Sequence, residues 1–154
     1  MEMQRARPED AAILRRIGQA AFLPYVRRIG RRPAPMDADM AALIEAGAVW
    51  TLSSIADTVG YIVLKEKPGS LHIDTVAVSP ERHGEGHGRR LLAFAEEEAR
   101  HRGLPTLDLY TNVRMSENLS LYAALGWRET GRRVEDGFER VYFAKDVAPA
   151  PARS

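Results

Sequence analysis

The sequence contains no cysteine. This absence excludes disulfide bonds, thiolate metal ligands and a cysteine nucleophile. Long hydrophobic runs are missing as well, because no segment approaches the ~18–20 consecutive apolar residues that a membrane-spanning helix needs. Residues 1–5 are charged and lack the apolar core of a signal peptide. Together these absences predict a soluble, cytoplasmic protein.

An excess of charge of one sign is also lacking. Lysine and arginine number 22, aspartate and glutamate number 21, and the formal net charge is +1. The chain therefore has no strong overall field that would attract nucleic acid. Its 154 residues, 45% hydrophobic and 28% charged, are ordinary for a globular domain with its own core. We predict one domain over residues 1–147 and a flexible, low-complexity tail over 148–154.

Hydrophobic periodicity and turn residues predict the element order β-α-α-β-β-β-α-β-α-β-β. The first helix begins at Pro8, and residues 25–36 are predicted to be irregular and basic. A second helix starts at Asp37 or Asp39 and ends at Ala46. The predicted strands lie at 3–7, 48–53, 59–65, 71–78, 106–111, 127–134 and 138–145, with helices after the glycine-rich loop and over 117–125.

A glycine-rich loop follows the strand at 71–78. Gly84, Gly86 and Gly88 alternate, and glycine allows successive backbone N–H groups to converge on an anion. The following helix adds its first N–H groups and the positive end of its dipole. The loop therefore predicts a diphosphate site. Its G-x-G-x-G spacing differs from the dinucleotide fingerprint, and it lacks the Gly-Lys-Ser/Thr of a Walker loop.

This loop resembles the coenzyme A loop of the GNAT family of N-acetyltransferases, which runs Gln/Arg-x-x-Gly-x-Gly/Ala. His83 stands in the Gln/Arg place, which is a departure from the pattern. The segment from Asn118 to Trp127 resembles a second family signature, Leu-Tyr-x-x-x-Gly-Phe/Trp. The element order also matches that of the family over about residues 2–146. The resemblance implies an α/β fold with a mixed, mostly antiparallel sheet of about seven strands flanked by about four helices.

The resemblance further implies acetyl-CoA as co-substrate and no metal. Backbone N–H groups near Val76 and Val78 would stabilise the oxyanion, and Tyr122 would protonate the departing thiolate. Met115 stands where the family often has asparagine, so that Asn112 or Asn118 would supply the polar contact. The residues expected to bind the co-substrate are Val76, Ala77, Val78, His83, Gly84, Glu85, Gly86, His87, Gly88, Arg89, Asn118 and Tyr122.

Two titratable residues precede Val76 on the same strand. His72 and Asp74 are two apart and therefore share one face. In several GNAT proteins a carboxylate at the position of His72 acts as general base, and an imidazole is suited to the same task near neutral pH. Asp74 would orient the imidazole, act as the base itself or bind a cationic acceptor.

Other clusters allow weaker interpretations. His83 and His87 have the spacing of zinc ligands but no evident third ligand, so no metal site is predicted. A Gly-x-Ser-x-Gly nucleophile elbow is absent. The cluster of Arg27, Arg28, Arg31 and Arg32 is either a solvated loop or, from the place of this loop in GNAT folds, a clamp for a carboxylate or phosphate on the acceptor.

Taken together, these features predict an enzyme that transfers an acetyl group from acetyl-CoA directly to a primary amine of a small molecule, anionic amines included. A protein or peptide N-acetyltransferase and a non-catalytic acyl-CoA sensor are the alternatives. We expect no nucleic-acid or membrane partner. The sequence leaves open the acceptor, the acyl chain length, the identity of the base and the oligomeric state, a homodimer included.

Overall fold

The structure, a computed structural model, describes residues 1–148. Apart from Ala148, the predicted tail lies outside the described residues. The elements follow the predicted order. They are β1 (Glu2–Arg5), α1 (Ala11–Ile29), α2 (Met40–Glu45), β2 (Val49–Ser53), β3 (Thr58–Lys67), β4 (Ser70–Val78), α3 (His87–His101), β5 (Thr106–Asn112), α4 (Ser116–Ala124), β6 (Arg128–Glu135) and β7 (Phe138–Asp146).

The strands form a seven-stranded sheet in the order β1-β2-β3-β4-β5-β7-β6. β4 and β5 pair in parallel, with Ser70 opposite Thr106 and His72 opposite Asp108. The pairs β1–β2, β2–β3, β5–β7 and β6–β7 are antiparallel. The predicted fold class, a mixed and mostly antiparallel sheet with four flanking helices, is confirmed.

The described chain divides into two compact units. The first comprises residues 1–65 and 74–94, and the second comprises residues 66–73 and 95–148. β4 contributes its first four residues to the second unit and the remainder to the first. The single domain that the sequence predicts over residues 1–147 stays a prediction.

In the first unit, α1 packs on the short α2 and on the turn at Ala34–Asp37. Residues 49–52 of β2 and residues 59–64 of β3 are buried, as their runs of apolar residues require. Trp50 meets Phe94 of α3 with ring centroids 5.7 Å apart. The core of this unit includes Leu14, Ile17, Val49, Leu52, Val59, Ile62, Val63 and Leu91.

In the second unit, β5, β6 and β7 form the sheet and α4 packs on β6. The β6–β7 hairpin turns at Asp136 and Gly137, whose φ angles are 53° and 80°. Positive φ at both turn positions is typical of the tight hairpin turn that Asp-Gly predicts. The core of this unit includes Leu71, Ala95, Ala99, Leu107, Leu109, Val141 and Phe143.

The prediction of an irregular segment over residues 25–36 is wrong in its first part, because α1 continues to Ile29. Pro24 lies inside the helix and removes one backbone hydrogen bond. The helix nevertheless continues for five residues beyond Pro24, which lies next to the exposed Leu23. Gly30 ends it in the left-handed conformation, with its N–H donating to the carbonyl of Val26 at 2.8 Å.

Within residues 1–148, every helix is too short or too polar to cross a membrane. α1, at 19 residues, has the length but carries arginines along it.

The close approach of β3 to β4 yields a stability prediction. A Cβ on Gly60 would lie 2.6 Å from the carbonyl oxygen of Ala77 and 3.3 Å from Leu91. Since the backbone of β4 must move to admit it, we expect Gly60→Ala to lower the free energy of unfolding by about 1–3 kcal/mol, measured by urea denaturation. Gly131→Ala is the control, because a Cβ there meets no atom within 4 Å; an equal loss in both variants would contradict the steric explanation.

Candidate functional site

The glycine-rich loop leaves an open surface beside the start of α3. Gly84 and Gly86 have φ angles of 82° and 83°, in the region that strains other residues. A Cβ built at either position, or at Gly88, meets no atom within 4 Å. The first N–H groups of α3 have no partners within the helix. The loop thus offers backbone donors and free space, and its geometry suits an anion.

Side-chain hydrogen bonds brace this loop. Arg82 donates from Nε to Glu85 Oε1 at 3.1 Å and from Nη1 to Asp57 Oδ1 at 3.4 Å. His87 Nε2 donates to the same Glu85 oxygen at 3.0 Å. The hydrogen bonds from His87 and then Arg82 lower the pKa of Glu85. The carboxylate of Glu85 is therefore engaged with two donors, although it lies in a loop suited to anions.

His83 stands where the family pattern has a long polar side chain, and it makes a local contact. Its Nε2 donates to the carbonyl oxygen of Val78 at 3.1 Å and so ties the loop to the end of β4. Because His83 and His87 bond to separate partners, they do not converge on one point. Across residues 1–148, the structure brings together no group of three His, Cys, Asp or Glu side chains that could hold a metal.

The side chains of β4 alternate between its two faces. Leu71, Ile73, Thr75 and Ala77 are buried on one face. On the other face His72 is also buried, whereas Asp74, Val76 and Val78 are partly exposed. Oδ1 of Asp74 lies 3.7 Å from Nζ of Lys65. Burial raises the pKa of the Tyr61 phenol to about 12, and the negative charge of Asp74 contributes to this rise. The roles of Asp74 and of the backbone at Val76, Ala77 and Val78 stay predictions.

In the second unit, His72 lies in a polar cluster with Asp108 of β5. Its Nδ1 is 2.5 Å from Asp108 Oδ1. Lys67 Nζ donates to the same oxygen at 3.1 Å, and Ser70 Oγ donates to Oδ2. Burial alone would raise the pKa of Asp108, but the hydrogen bonds from His72, Ser70 and Lys67 outweigh it and lower that pKa to about 2. Asp108 is thus a carboxylate held ionised by three donors.

Tyr122 projects from α4 into the apolar interior of the second unit. It is 9% exposed, and its ring centroid lies 5.5 Å from that of Phe143 and 5.7 Å from that of Trp127. Burial raises the pKa of Tyr122 to about 12. The phenol therefore stays protonated across the neutral range, where it can donate a proton or a hydrogen bond.

The amides near α4 have local partners. Asn118 lies one helical turn before Tyr122, and its Nδ2 donates to Thr111 Oγ1 at 3.3 Å. Asn112 Oδ1 instead accepts from the backbone N–H of Arg114 at 2.9 Å. Met115 is buried, and its Sδ accepts a hydrogen bond from Thr111 Oγ1 at 3.6 Å. Asn118 is thus the amide that belongs to the helix of Tyr122, whereas Asn112 stabilises the turn before it.

The basic cluster divides between two local environments. Arg27 and Arg28 lie in the last turn of α1, where cations favour the helix dipole, and Arg28 stacks over Tyr25 at 5.2 Å. Arg32 Nε donates to Asp37 at 3.0 Å and its Nη2 donates to Gln19 at 3.1 Å. Asp37 thus balances the charge of Arg32. Arg89, in the first turn of α3, is exposed.

Sequence reasoning missed Asp108, Ser70 and Lys67. The available signal was a single carboxylate between two leucines in the strand Thr106–Asn112, an arrangement that places a charge in the interior of a strand. The register of β5 against β4 was needed to show that this carboxylate faces His72.

Comparisons with known proteins agree with this geometry. A family model described as the acetyltransferase (GNAT) family matches residues 17–127. An uncharacterized N-acetyltransferase of Bacillus subtilis (strain 168), YvbK, is 30% identical over 105 residues, which cover 68% of this chain and 66% of that protein. The chain spans between 28% and 66% of the length of the curated relatives that it matches.

Solved structures share the fold. The PaiA N-acetyltransferase of Thermoplasma acidophilum, in complex with coenzyme A, aligns with a TM-score of 0.78 and 17% identity, covering 94% of this chain and 98% of that one. The ribosomal-protein-S18-alanine N-acetyltransferase of Escherichia coli aligns with a TM-score of 0.74 and 18% identity, covering 97% and 96%. At these identities the likeness is one of fold.

The ionised state of Asp108 yields a pH-dependent stability. Its pKa is about 2 in the folded chain and about 3.9 when unfolded. Since the folded value is the lower one, the stabilisation is present above about pH 4 and is lost as the pH falls towards 2. We expect wild type to exceed Asp108→Asn by about 2 kcal/mol at pH 7 in urea denaturation, with the difference shrinking between about pH 5 and pH 2.

The matched control is Asp146→Asn, which alters an exposed carboxylate that pairs with Arg128. It should change stability little at any pH. A gap between wild type and Asp108→Asn that stays constant from pH 7 to pH 2 would contradict the assigned ionisation.

Proposed function

The chain belongs to the acetyltransferase (GNAT) family, and we propose that it is an acetyl-CoA-dependent N-acetyltransferase that acts on the primary amine of a small molecule. The observation that carries this proposal is the loop at Gly84 and Gly86. Its left-handed glycines, open surface and direct passage into α3 fit the diphosphate of coenzyme A. The coenzyme A that is bound to PaiA, a protein of the same fold, supports the same ligand class.

Residues of the loop and of β4 would bind the co-substrate by distinct means. Backbone N–H groups of Gly84, Gly86 and Gly88 and the first turn of α3 would hold the diphosphate, and Arg89 would add a positive charge. Arg82 and His87 would reduce the repulsion between Glu85 and the diphosphate, because both side chains donate hydrogen bonds to the Glu85 carboxylate. Acetyl-CoA, when bound, supplies the thioester acyl group and a thiolate leaving group.

The proposed reaction converts acetyl-CoA and an ammonium acceptor into an acetamide, free coenzyme A and one proton. His72 or Asp74 takes a proton from the acceptor nitrogen, whose lone pair then forms the new bond to the acyl carbon as the carbon–sulfur bond breaks. Backbone N–H groups near Val76 and Val78 donate to the carbonyl oxygen while negative charge develops there. Asn118 is assigned to binding beside Tyr122.

Tyr122 is proposed as the donor to the departing sulfur. Its pKa of about 12 keeps it protonated, but a thiol has a pKa near ~8.5. This difference between the two pKa values makes complete proton transfer from the Tyr122 phenol to an ordinary thiolate unfavourable by several kcal/mol. We therefore assign to Tyr122 a hydrogen bond that strengthens as the thiolate forms, with the proton following only when the sulfur has become basic enough in its buried environment.

The first test measures thiol release from acetyl-CoA against amino acids, polyamines, aminoglycosides, amino sugars and short peptides. Release that depends on one class of small amine is the expected result. Preference for anionic amines would support the arginines Arg27, Arg28 and Arg31 as a clamp. Release with peptides alone would favour the protein acetyltransferase, and tight coenzyme A binding without release for any amine would favour the sensor.

Tyr122→Phe separates an enzyme from a sensor. We expect kcat to fall about 100-fold or more, because the donor to sulfur is lost, while the Kd for coenzyme A measured by calorimetry stays within about twofold. Tyr142→Phe is the matched control. It removes one hydroxyl from a tyrosine whose ring centroid lies 5.5 Å from that of Tyr110, with the two planes tilted by 49°, and it should leave kcat unchanged. Equal rates for Tyr122→Phe and wild type would rule out the assigned role.

Gly86→Ala tests the loop. An alanine at this φ of 83° carries strain of about 1–2 kcal/mol, and relief of that strain turns the backbone N–H groups away from the ligand. We expect coenzyme A to bind about tenfold more weakly by calorimetry. Gly103→Ala places the same strain, at a φ of 70°, after the end of α3. If both variants bind coenzyme A equally well, the loop is not the diphosphate site.

A further inference from the structure

Glu85 places a carboxylate in a loop whose backbone suits an anion. It stands between Gly84 and Gly86, which have φ angles of 82° and 83°. Hydrogen bonds from His87 and then Arg82 lower the pKa of Glu85, so that the side chain is ionised near neutral pH. A charge of this sign repels a diphosphate. Direct contact with the diphosphate therefore does not account for this carboxylate.

The carboxylate of Glu85 is held from both directions along the chain. Arg82, three residues earlier, donates from Nε to Oε1 at 3.1 Å and to Oε2 at 3.3 Å. His87, two residues later, donates from Nε2 to Oε1 at 3.0 Å, since an ionised carboxylate only accepts. We call Arg82, Glu85 and His87 the loop brace. Its contacts span both left-handed glycines and so restrict the backbone between residues 82 and 87.

Both ends of the loop brace are fixed to other parts of the first unit. His87 begins α3 and is 8% exposed. The backbone N–H of Arg82 donates to the carbonyl of Ser79 at 2.9 Å, within a single helical turn at Pro80–Arg82. Arg82 Nη1 also donates to Oδ1 of Asp57, in the turn between β2 and β3, at 3.4 Å. The loop brace thus joins the glycine-rich loop to a helix and to a hairpin.

The glycines leave the loop dependent on contacts of this kind. A Cβ built at Gly84 or Gly86 meets no atom within 4 Å, so packing on that side does not fix the backbone. Glycine also loses more conformational freedom than other residues when it is ordered. Ordering a loop during binding reduces affinity, and contacts that order it beforehand restore that affinity. The loop brace supplies such contacts from within the chain.

We propose that Glu85 is a positioning residue, which through Arg82 and His87 orders the glycine-rich loop so that its backbone N–H groups are aligned for the diphosphate of coenzyme A. This proposal rests on the acetyltransferase function proposed above. Glu85 itself makes no contact with the co-substrate, and Asp57 acts one step further away by holding Arg82. The gain in affinity from an ordered loop exceeds the loss from repulsion between the carboxylate and the diphosphate.

Charge and positioning predict opposite effects for two variants. By charge alone, Glu85→Gln and Asp57→Asn each remove a repulsion and tighten the binding of coenzyme A. If the two carboxylates order the loop, the same variants weaken binding. Glu81→Gln is the matched control, because Glu81 is an exposed carboxylate of the turn Pro80–Arg82 that lies outside the loop brace. Its substitution removes the same charge and leaves the brace intact.

The experiment measures the Kd of coenzyme A by calorimetry, and KM and kcat for acetyl-CoA with the best amine of the panel. For Glu85→Gln we expect Kd and KM to rise about tenfold. We expect kcat to stay within about twofold, because saturating acetyl-CoA orders the loop by itself. For Asp57→Asn we expect Kd to rise about twofold, since its contact is long and the side chain is 58% exposed. Glu81→Gln should leave Kd unchanged or slightly lower.

A double-mutant cycle shows whether Arg82 acts through Glu85. Arg82→Gln alone should raise the Kd of coenzyme A by about as much as Glu85→Gln. In the Glu85→Gln background it should add little, because the contact that it breaks is already lost. Fully additive effects would mean that Arg82 attracts the diphosphate directly, and they would overturn the proposal. So would tighter binding by Glu85→Gln, or equal Kd values for Glu85→Gln and Glu81→Gln.

A second readout needs neither turnover nor coenzyme A. Nitrogen-15 relaxation gives order parameters for the backbone amides of residues 84–86. These should fall in Glu85→Gln and stay at the wild-type values in Glu81→Gln. Unchanged order parameters in Glu85→Gln would overturn the proposal even if the protein is an active acetyltransferase. If instead they fall but the wild type binds no coenzyme A, the proposed function fails while the ordering of the loop by Glu85 stands.

Discussion

The alternation of side chains along β4 is the constraint on which the placement of the candidate residues of this strand depends. Leu71, Ile73, Thr75 and Ala77 are buried in turn, so that the strand cannot slip by one residue without exposing all of them. The same alternation fixes His72, Asp74, Val76 and Val78 on the other face. Gly60 keeps β3 close to this strand, because any Cβ there would meet the carbonyl of Ala77.

Carboxylates near the candidate site are held by donors. Glu85 accepts from Arg82 and His87, and Asp108 accepts from His72, Ser70 and Lys67. For Glu85 this pairing leaves the glycine loop available to an anion. For Asp108 it creates an acceptor that orients a histidine and keeps its own charge. Tyr122 differs from these carboxylates, because burial raises the pKa of its phenol and so favours the neutral form.

These environments assign different chemistry to residues of similar type. His83 donates to the carbonyl of Val78 and thereby joins the loop to its strand, whereas His72 donates to the partly exposed carboxylate of Asp108. The first contact can only position the backbone. The second contact fixes the side on which the imidazole of His72 faces Asp108.

The sequence by itself determined the order of the elements and the glycine loop, because hydrophobic period, turn residues and consecutive glycines are local properties of the chain. It also offered His72 and Tyr122 as candidate site residues, through the family resemblance of single elements, and their roles stay predictions. It missed the extension of α1 past Pro24, because a proline within a helix is locally unfavourable and the local pattern therefore indicates an end there. The pairing of His72 with Asp108 was decided only by the tertiary structure. The two residues are 36 positions apart, and only the register of β4 against β5 places the imidazole beside that carboxylate.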